Sequence, residues 1–315
     1  MAWSGKGTVM RIAIYGSGGV GGYYGARLAA AGEDVRFIAR GAHYEAIRAG
    51  GLRVKSRNGD LHITPAQVTD DPAVIGPVEV IMVAVKLYDT AQAAEGCKAL
   101  IGPETAVVSF QNGVTAADTL KTAVGAERVW GGTTYIMAEV AEPGLVVHTG
   151  SNARLVFGEL DGCVTPRVQV FYAVCTKAGI DTVLSTKILL DIWTKFSFLA
   201  ALSGTTALTR QPIGRIRRDP DTRSLFQRAV EEVVAVARAK GIAMKDDMVA
   251  HNMKQIDNLP ESMSSSQLHD LLHGKRLELP WLSGAVRRLG REVEIATPVH
   301  DFISAALKLH ARGTA

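Results

Sequence analysis

In the stretch Arg11-Ile-Ala-Ile-Tyr-Gly-Ser-Gly-Gly-Val-Gly21, a short apolar run leads directly into a glycine-rich turn. Ile12 and Ile14 precede the turn as in a buried strand, and residues 23–31 follow as a helix that ends at Gly32. Gly16 allows the tight bend, Gly18 allows the close approach of a pyrophosphate, and Gly21 allows the helix to pack on the strand. The pattern predicts the phosphate end of a dinucleotide site, the alternative being a glycine-rich turn without a ligand.

The predicted phosphate site is the turn itself. Its free backbone N–H groups and the positive end of the following helix suit a pyrophosphate. The residues expected to bind the cofactor there are Gly16, Ser17, Gly18, Gly19, Val20 and Gly21.

The end of the second predicted strand distinguishes between the nicotinamide cofactors. In an NAD site an acidic side chain stands there, about 20 residues past the glycines, and binds the ribose 2′-OH. In this chain the acids Glu33 and Asp34 lie at the start of the strand, and Arg40 lies at its end. Because a guanidinium pairs with a 2′-phosphate and cannot replace a carboxylate on a 2′-OH, the predicted cofactor is NADP(H). The alternative is a solvent-exposed Arg40 that only precedes the next helix.

Composition limits the class of protein. The 315 residues are 47% hydrophobic, enough for two domains, and 35 basic against 31 acidic residues give a net charge of +4. No charge run indicates nucleic acid or a membrane surface, and no apolar run of about 18 residues predicts a membrane span. The basic residues Arg215, Arg217 and Arg218 are expected in a solvated loop. We expect a cytoplasmic protein, and Met10 is an alternative start that would make the first nine residues a dispensable arm.

The cysteines and histidines predict no metal site. The three cysteines are far apart and lack the spacing of metal ligands, so they are expected as core residues in a reducing compartment. The eight histidines also show no ligand spacing.

The amino-terminal half alternates strands and helices around one hairpin, which is predicted at Asn58-Gly59. The apolar runs 79–85 and 106–110 are typical of parallel strands covered on both faces, and they lead to Lys86 and to Gln111-Asn112-Gly113. These polar groups are expected at the carboxyl edge of the sheet, where ligands bind. Further strands are predicted over 129–137, 144–149, 153–158 and 180–184, with a helix over 164–178.

The carboxyl-terminal half shows only helical periodicity. Helices are predicted over 188–202, 220–240, 246–258, 266–273, 282–289 and 298–310. The fold class is therefore α/β: a Rossmann-type dinucleotide-binding domain over 10–184, followed by an all-helical substrate and dimerisation domain over 185–315. A cleft between two such domains is the expected place for a substrate.

Lys195 is the candidate proton donor. It is the only charge in the apolar segment 192–202, and burial would lower its pKa toward neutrality. Alternatively, its stem lies along the helix and the ammonium reaches solvent. Glu278 is a second candidate because its carboxylate could hold the lysine or a substrate hydroxyl, although an isolated glutamate is usually a surface group.

Together these positions resemble the ketopantoate reductase (2-dehydropantoate 2-reductase) family over nearly the whole chain from Met10. The matching segments, in order, are Gly16-Ser-Gly-Gly-Val-Gly21, Ala39-Arg-Gly41, Val83-Ala-Val-Lys86, Gln111-Asn-Gly113, Gly132-Thr-Thr134, Trp193-Thr-Lys195, Thr205-Thr-Ala-Leu208, Ser265-Ser266 and Glu278. The resemblance implies NADPH-dependent reduction of 2-dehydropantoate to (R)-pantoate, a step toward pantothenate and coenzyme A.

The resemblance also implies roles for individual residues. Lys195 would donate the proton, and Ser266 would bind the substrate carboxylate. Arg40 and Lys86 would lie near the adenosine end of NADPH. Asn112 would lie between the nicotinamide and the substrate, and Glu278 would lie by the cofactor ribose and the lysine.

The chain departs from the family where substrate contacts are expected. Asparagines are common four and eight residues after the lysine and again after the following proline; Leu199, Ser203 and Ile213 stand there instead. Pro280 and Ser283 also replace a frequent acid and asparagine. Each lost amide removes a hydrogen bond of about 1 kcal/mol or more when buried. Leu199 and Ser203 would then face a different, more apolar 2-oxo acid.

Three hypotheses follow from the sequence. The first is reduction of 2-dehydropantoate, and the second keeps the hydride chemistry with another small 2-oxo acid. The third is an NADP-sensing protein without catalysis. A homodimer is expected from analogy with the fold.

Overall fold

The computed structural model describes residues 9–314, which divide into two compact units. The first unit comprises the described residues up to Asn112 and Ala116–Ile188, and the second comprises Gly113–Thr115 and the residues from Leu189 onward. The first unit contains the β-sheet, whereas the second is built from helices. The predicted class, an α/β unit followed by a helical unit, is confirmed.

The beginning of the described chain is anchored at Met10. Its side chain is buried, and its backbone N–H donates to the Glu33 carboxylate at 2.7 Å. The expected arm before Met10 consists mostly of residues 1–8, which lie outside the described residues.

One mixed sheet organises the first unit. Its strands are β1 (Arg11–Tyr15), β2 (Asp34–Ile38), β3 (Leu52–Ser56), β4 (Leu61–Ile63), β5 (Val68–Thr69), β6 (Val80–Val83), β7 (Ala106–Ser109), β8 (Val129–Glu142), β9 (Leu145–Glu159) and β10 (Asp181–Leu184). The order is β4-β3-β9-β8-β7-β6-β1-β2-β5, and β10 pairs with β9. Antiparallel pairing joins β3 to β4, which confirms the hairpin predicted at Asn58-Gly59, and also joins β8 to β9; the other pairs are parallel.

Helices cover both faces of this sheet. They are α1 (Gly19–Ala30), α2 (Gly41–Gly50), α3 (Thr90–Cys97), α4 (Ala116–Val124) and α5 (Pro166–Lys177). In β1, Ile12 and Ile14 belong to the core beneath α1 and α5, and Ala13 belongs to the core beneath α3 and α4. Burial on both faces explains why β1 is apolar at successive positions.

The hairpin of β8 and β9 is longer than predicted. The sequence predicted three short strands over 129–158, but the structure has two strands of 14 and 15 residues joined by a short turn. Four of the five residues over 138–142 are alanine or glutamate, which are poor strand formers, and this segment is held by pairing with β9. Register shifts after Ile136 and Val140 accommodate the irregular pairing.

The second unit contains seven α-helices within the described residues. They are α6 (Ile188–Thr209), α7 (Ile213–Arg218), α8 (Pro220–Ala239), α9 (Met248–Asn258), α10 (Ser266–Leu272), α11 (Ser283–Glu292) and α12 (Pro298–Ala306). The start of α8 follows the sequence signal, because the Asp219 side chain accepts a hydrogen bond from the Thr222 N–H and Pro220 occupies the first turn.

Helix α6 continues seven residues past its predicted end at Leu202. The hydroxyls of Thr205 and Thr206 donate to carbonyls one turn earlier, which keeps these polar residues compatible with the helix. At Gly204 a Cβ would lie 2.8 Å from the end of the Ile303 side chain, so glycine favours the close packing of α6 against Ile303. The helix ends at Thr209, before Arg210, which has a positive φ of 53°.

The basic cluster is helical, which corrects the solvated loop predicted for it. Arg215, Arg217 and Arg218 lie in α7. The guanidinium of Arg217 donates to the carbonyls of Ile256 and Leu259, both at 2.7 Å, and so caps the end of α9. Arg217 has these partners because α7 lies against the end of α9. The local sequence does not reveal that arrangement.

Helix α6 is the one helix within residues 9–314 that is long and apolar enough to cross a membrane, judged by length and composition alone. Core helices of soluble proteins also meet this criterion. Here Ser197 accepts a hydrogen bond from the Asn252 amide at 2.8 Å, and the Phe198 ring packs against Phe226. Much of the helix is therefore a packing surface for neighbouring helices.

Candidate active site

Four parallel strands of the first unit end at one edge of the sheet. Their last residues are register partners, namely Tyr15, Ile38, Val83 and Ser109. The segments that follow contain the predicted cofactor residues of the glycine turn, Arg40, Lys86 and Asn112. The structure therefore brings these four segments together at the edge where parallel sheets bind ligands.

The glycine turn is held by the end of the second strand. The backbone N–H groups of Gly16 and Ser17 donate to the Ile38 carbonyl at 3.2 and 3.1 Å, and the Ser17 hydroxyl donates to the same oxygen at 3.1 Å. The Ser17 side chain is also buried. Both donors of Ser17 are thus used within the protein, where they support the turn, and the phosphate contact expected for Ser17 stays a prediction.

Gly16, Gly19 and Gly21 are required by the protein itself. Gly16 has a φ of +99°, and a Cβ on Gly21 would lie 2.2 Å from the Gly16 carbonyl oxygen. A Cβ on Gly19 would lie 2.2 Å from the carbonyl oxygen of Ala138 in β8. These glycines let α1 press against both β1 and β8.

Gly18 differs from the other glycines of the turn. Its φ of −72° suits any residue, and a Cβ built on it meets nothing within 4 Å. Neither conformation nor packing explains a glycine here, whereas close approach of a ligand does. The first-turn N–H groups of α1, from Gly19 through Val20 to Gly21, have no partner inside the helix and face the same end. The turn thus fits a dinucleotide pyrophosphate.

Arg40 lies at the carboxyl edge, just before α2, and is paired there. Its guanidinium donates to the Asp89 carboxylate at 2.6 Å and to the Gln92 side chain at 3.2 Å, although 61% of the side chain remains exposed. The Asp89 and Gln92 contacts orient the guanidinium, and its exposed N–H groups can still reach an anion.

Lys86 and Asn112 follow β6 and β7 at this edge. Lys86 is exposed and Asn112 is half-buried. The preceding Gln111 is buried and donates to the Val85 carbonyl at 2.9 Å and to the Thr90 hydroxyl at 2.8 Å. Gln111 therefore links the ends of the two strands.

His43 also contacts the glycine turn, a role that its sequence context does not predict. Its Nδ1 accepts the Gly144 backbone N–H at 3.0 Å, so its proton is on Nε2, which donates to the Ser17 carbonyl at 2.8 Å. His43 thus ties the glycine turn to the β8–β9 turn. The spacing of the histidines along the chain gives no signal for such a contact.

In the second unit, Lys195 lies on α6 and is half-buried. Its surroundings are dense enough that burial lowers its pKa to about 8, while the nearby Glu278 carboxylate opposes the shift. Glu278 is itself buried. The structure therefore brings the two predicted catalytic residues together, with the lysine able to release a proton near neutral pH.

The positions that replace the family asparagines have different surroundings. Leu199 is half-buried and lies one turn after Lys195 on α6. Ser203 is fully buried, and its hydroxyl has no partner among the described residues. Ile213 is fully buried at the start of α7, so it belongs to the helical core.

Ser266 is the exposed first residue of α10. The preceding Ser265 is buried and caps this helix, because its hydroxyl accepts the Leu268 N–H at 3.0 Å. Within residues 9–314, no group of three or more histidine, cysteine or acidic side chains could hold a metal ion.

Comparison with known proteins gives matches over both units. The family model "Ketopantoate reductase PanE/ApbA" matches residues 12–162, and "Ketopantoate reductase PanE/ApbA C terminal" matches residues 187–311. The chain is 31% identical to the 2-dehydropantoate 2-reductase of Mesorhizobium japonicum, over 95% of this chain and 97% of the relative. It is 29% identical to the uncharacterized oxidoreductase YkpB of Bacillus subtilis, over 96% and 99%.

Solved structures show the same fold. The 2-dehydropantoate 2-reductase of Geobacter metallireducens superposes with a TM-score of 0.88 at 31% identity, over 95% of this chain and 99% of that one. D-mandelate dehydrogenase, solved with NADH and anilino(oxo)acetate, gives 0.88 at 21% identity, over 96% and 98%, which is similarity of fold alone. Since both family models match and curated relatives align end to end, the chain belongs to the ketopantoate reductase family of dinucleotide-binding oxidoreductases.

Proposed function

We propose that this protein catalyses the NADPH-dependent reduction of 2-dehydropantoate to (R)-pantoate. The observation that carries the proposal is the environment of Lys195. Burial lowers the pKa of this lysine to about 8, and the buried Glu278 carboxylate lies nearby. The relatives of this chain that are named 2-dehydropantoate 2-reductase support the choice of 2-dehydropantoate as the substrate.

The residues of the glycine turn would hold the cofactor. The first-turn N–H groups of α1 would donate to the pyrophosphate, which the bare Cα of Gly18 would let approach. Arg40 and Lys86 would contact the 2′-phosphate end, and Asn112 would lie between nicotinamide and substrate. When bound, NADPH supplies the hydride that reduces the 2-oxo carbon.

Lys195 would complete the alcohol. Its ammonium donates a proton to the carbonyl oxygen as negative charge develops there, and the neutral amine is then reprotonated from solvent. Glu278 favours the charged lysine and so keeps the proton available near pH 7. Ser266 would bind the substrate carboxylate, with Leu199 and Ser203 contributing to the substrate site.

A second candidate is reduction of a more apolar 2-oxo acid. The side chain of Leu199 beside Lys195, where an asparagine is common in the family, favours it because leucine offers no hydrogen bond to a substrate hydroxyl. The fold is also compatible with apolar substrates, as D-mandelate dehydrogenase illustrates.

Substrate identity can be tested by the initial rate of NADPH oxidation with a panel of 2-oxo acids. We expect kcat/KM for 2-dehydropantoate to exceed that for aliphatic and aromatic 2-oxo acids without a hydroxyl by at least about 10-fold, the effect of one or more buried hydrogen bonds. A higher kcat/KM with an apolar acid would select the second candidate instead.

Substitution of Lys195 tests the proton donor. We expect Lys195→Met to lower kcat by about 10²- to 10⁴-fold while the Kd of NADPH stays within about 2-fold. Because only the protonated lysine can donate, wild-type kcat should fall as pH rises through about 8. Lys195→Arg, which retains the charge but does not release a proton near pH 8, should not restore kcat. Wild-type kcat that stays constant to pH 10 would contradict this role.

Arg40 tests the preference for NADPH. We expect Arg40→Ala to raise the Kd of NADPH by about 10- to 100-fold and that of NADH by less than about 3-fold, because only NADPH carries the 2′-phosphate. Arg48→Ala is the matched control: Arg48 pairs with Glu45 and is 63% exposed, but it lies at the far end of α2. Equal losses of NADPH and NADH affinity in Arg40→Ala would exclude the phosphate contact.

Gly18 tests the phosphate site without disturbing the fold. We expect Gly18→Ala to raise the Kd of NADPH and of NADH by about 10-fold, since the methyl group would occupy the space of the pyrophosphate. The melting temperature of the free protein should not fall, because the added Cβ contacts nothing and the φ of −72° suits alanine. Gly50→Ala, also free of contacts, is the control; unaltered cofactor affinity in Gly18→Ala would refute this assignment of the turn.

A further inference from the structure

We propose that Thr206 is a positioning residue that holds Ser266 in place relative to the helix that carries Lys195. This inference rests on the proposed function, in which Ser266 binds the substrate carboxylate. It concerns contacts between α6 and α10 inside the helical unit.

Lys195 and Thr206 occupy the same side of α6. They are eleven residues apart, which corresponds to about 1,100° of rotation, or about 20° more than three turns. Thr205 lies about 80° away from the lysine around the helix. A segment bound at Thr206 is therefore aligned with the face that presents Lys195.

The hydroxyls of Thr206 and Ser265 form a directed chain between the two helices. The Thr206 hydroxyl donates to the Leu202 carbonyl at 2.6 Å, so in its 2.7 Å contact with Ser265 its oxygen must accept. The Ser265 hydroxyl therefore donates to Thr206, while its own oxygen accepts the Leu268 N–H. Each hydroxyl proton is used once, and the first turn of α10 is bound to α6.

A second contact holds the other side of Ser266. The Gln267 amide donates to the Ser203 carbonyl of α6 at 3.2 Å. Thr206, Ser265 and Gln267 are all buried, whereas Ser266 between the two contacts is exposed. The neighbours of Ser266 are thus bound to α6 on both sides, and its side chain is left available to a ligand.

Loss of the Thr206 hydroxyl would leave the buried Ser265 hydroxyl without its acceptor. A buried polar group without a partner is unfavourable, so Ser265 would turn away and the start of α10 would loosen. Lys195 would keep its place on α6. The expected consequence is weaker binding of the substrate carboxylate with the proton transfer intact.

The test compares Thr206→Val with Thr205→Val. Both residues are fully buried, and both hydroxyls donate to a carbonyl one turn earlier, but only Thr206 contacts Ser265. With the best 2-oxo acid of the wild type, we expect Thr206→Val to raise its KM about 10-fold, with kcat and the Kd of NADPH within about 2-fold. Thr205→Val should leave all three within about 2-fold, and Thr206→Ser should restore the KM. Equal KM values for the two valine variants would overturn the proposal.

Amide hydrogen exchange tests the contact independently of activity. We expect exchange at Leu268, whose N–H donates to Ser265, to become at least about 10-fold faster in Thr206→Val and to stay unchanged in Thr205→Val. Unchanged protection in Thr206→Val would also overturn the proposal. If the wild type reduces no 2-oxo acid, the proposed function fails, and the exchange comparison still decides whether Thr206 holds α10.

Discussion

The first unit depends on close backbone approach between β1 and α1. Gly21 of the helix lies so near the Gly16 carbonyl that a Cβ would approach it to 2.2 Å. Any side chain at position 21 would push the helix away from the strand and move its first-turn N–H groups from the sheet edge. The Ile38 carbonyl, which accepts three hydrogen bonds from Gly16 and Ser17, then fixes the turn to the neighbouring strand. The position of the glycine turn at this edge of the sheet is therefore set mainly by contacts between backbone atoms.

The helical unit places a cation in apolar surroundings. Desolvation disfavours the charged form of Lys195, and the Glu278 carboxylate favours it, so the two effects together set the pKa to about 8. A lysine in water, with its ordinary pKa of 10.5, would retain its proton too strongly for efficient transfer at neutral pH. The apolar character of α6 is thus part of the proposed chemistry as well as a packing surface.

Several polar side chains in this protein connect one element to another. His43 joins the glycine turn to the β8–β9 turn, Gln111 joins the ends of β6 and β7, and Arg217 caps α9. The pair of Thr206 and Ser265 joins α6 to α10 in the same way. Such contacts limit the movement of the segments that carry candidate ligand-binding residues.

The sequence by itself determined the α/β class, the helical second half and the glycine turn, because hydrophobic periodicity and glycine spacing are local properties of the chain. It also showed Lys195 as the single charged residue of the apolar segment 192–202. It did not reveal the full length of β8 and β9 or of α6, since the alanines and glutamates of 138–142 are poor strand formers, residues 203–206 are poor helix formers, and both segments are held by partners. Tertiary structure alone decided that Ser17 supports the turn and that His43 binds it. Those roles come from hydrogen bonds to residues 21 to 101 positions away, and local sequence patterns carry no record of contacts at such separations.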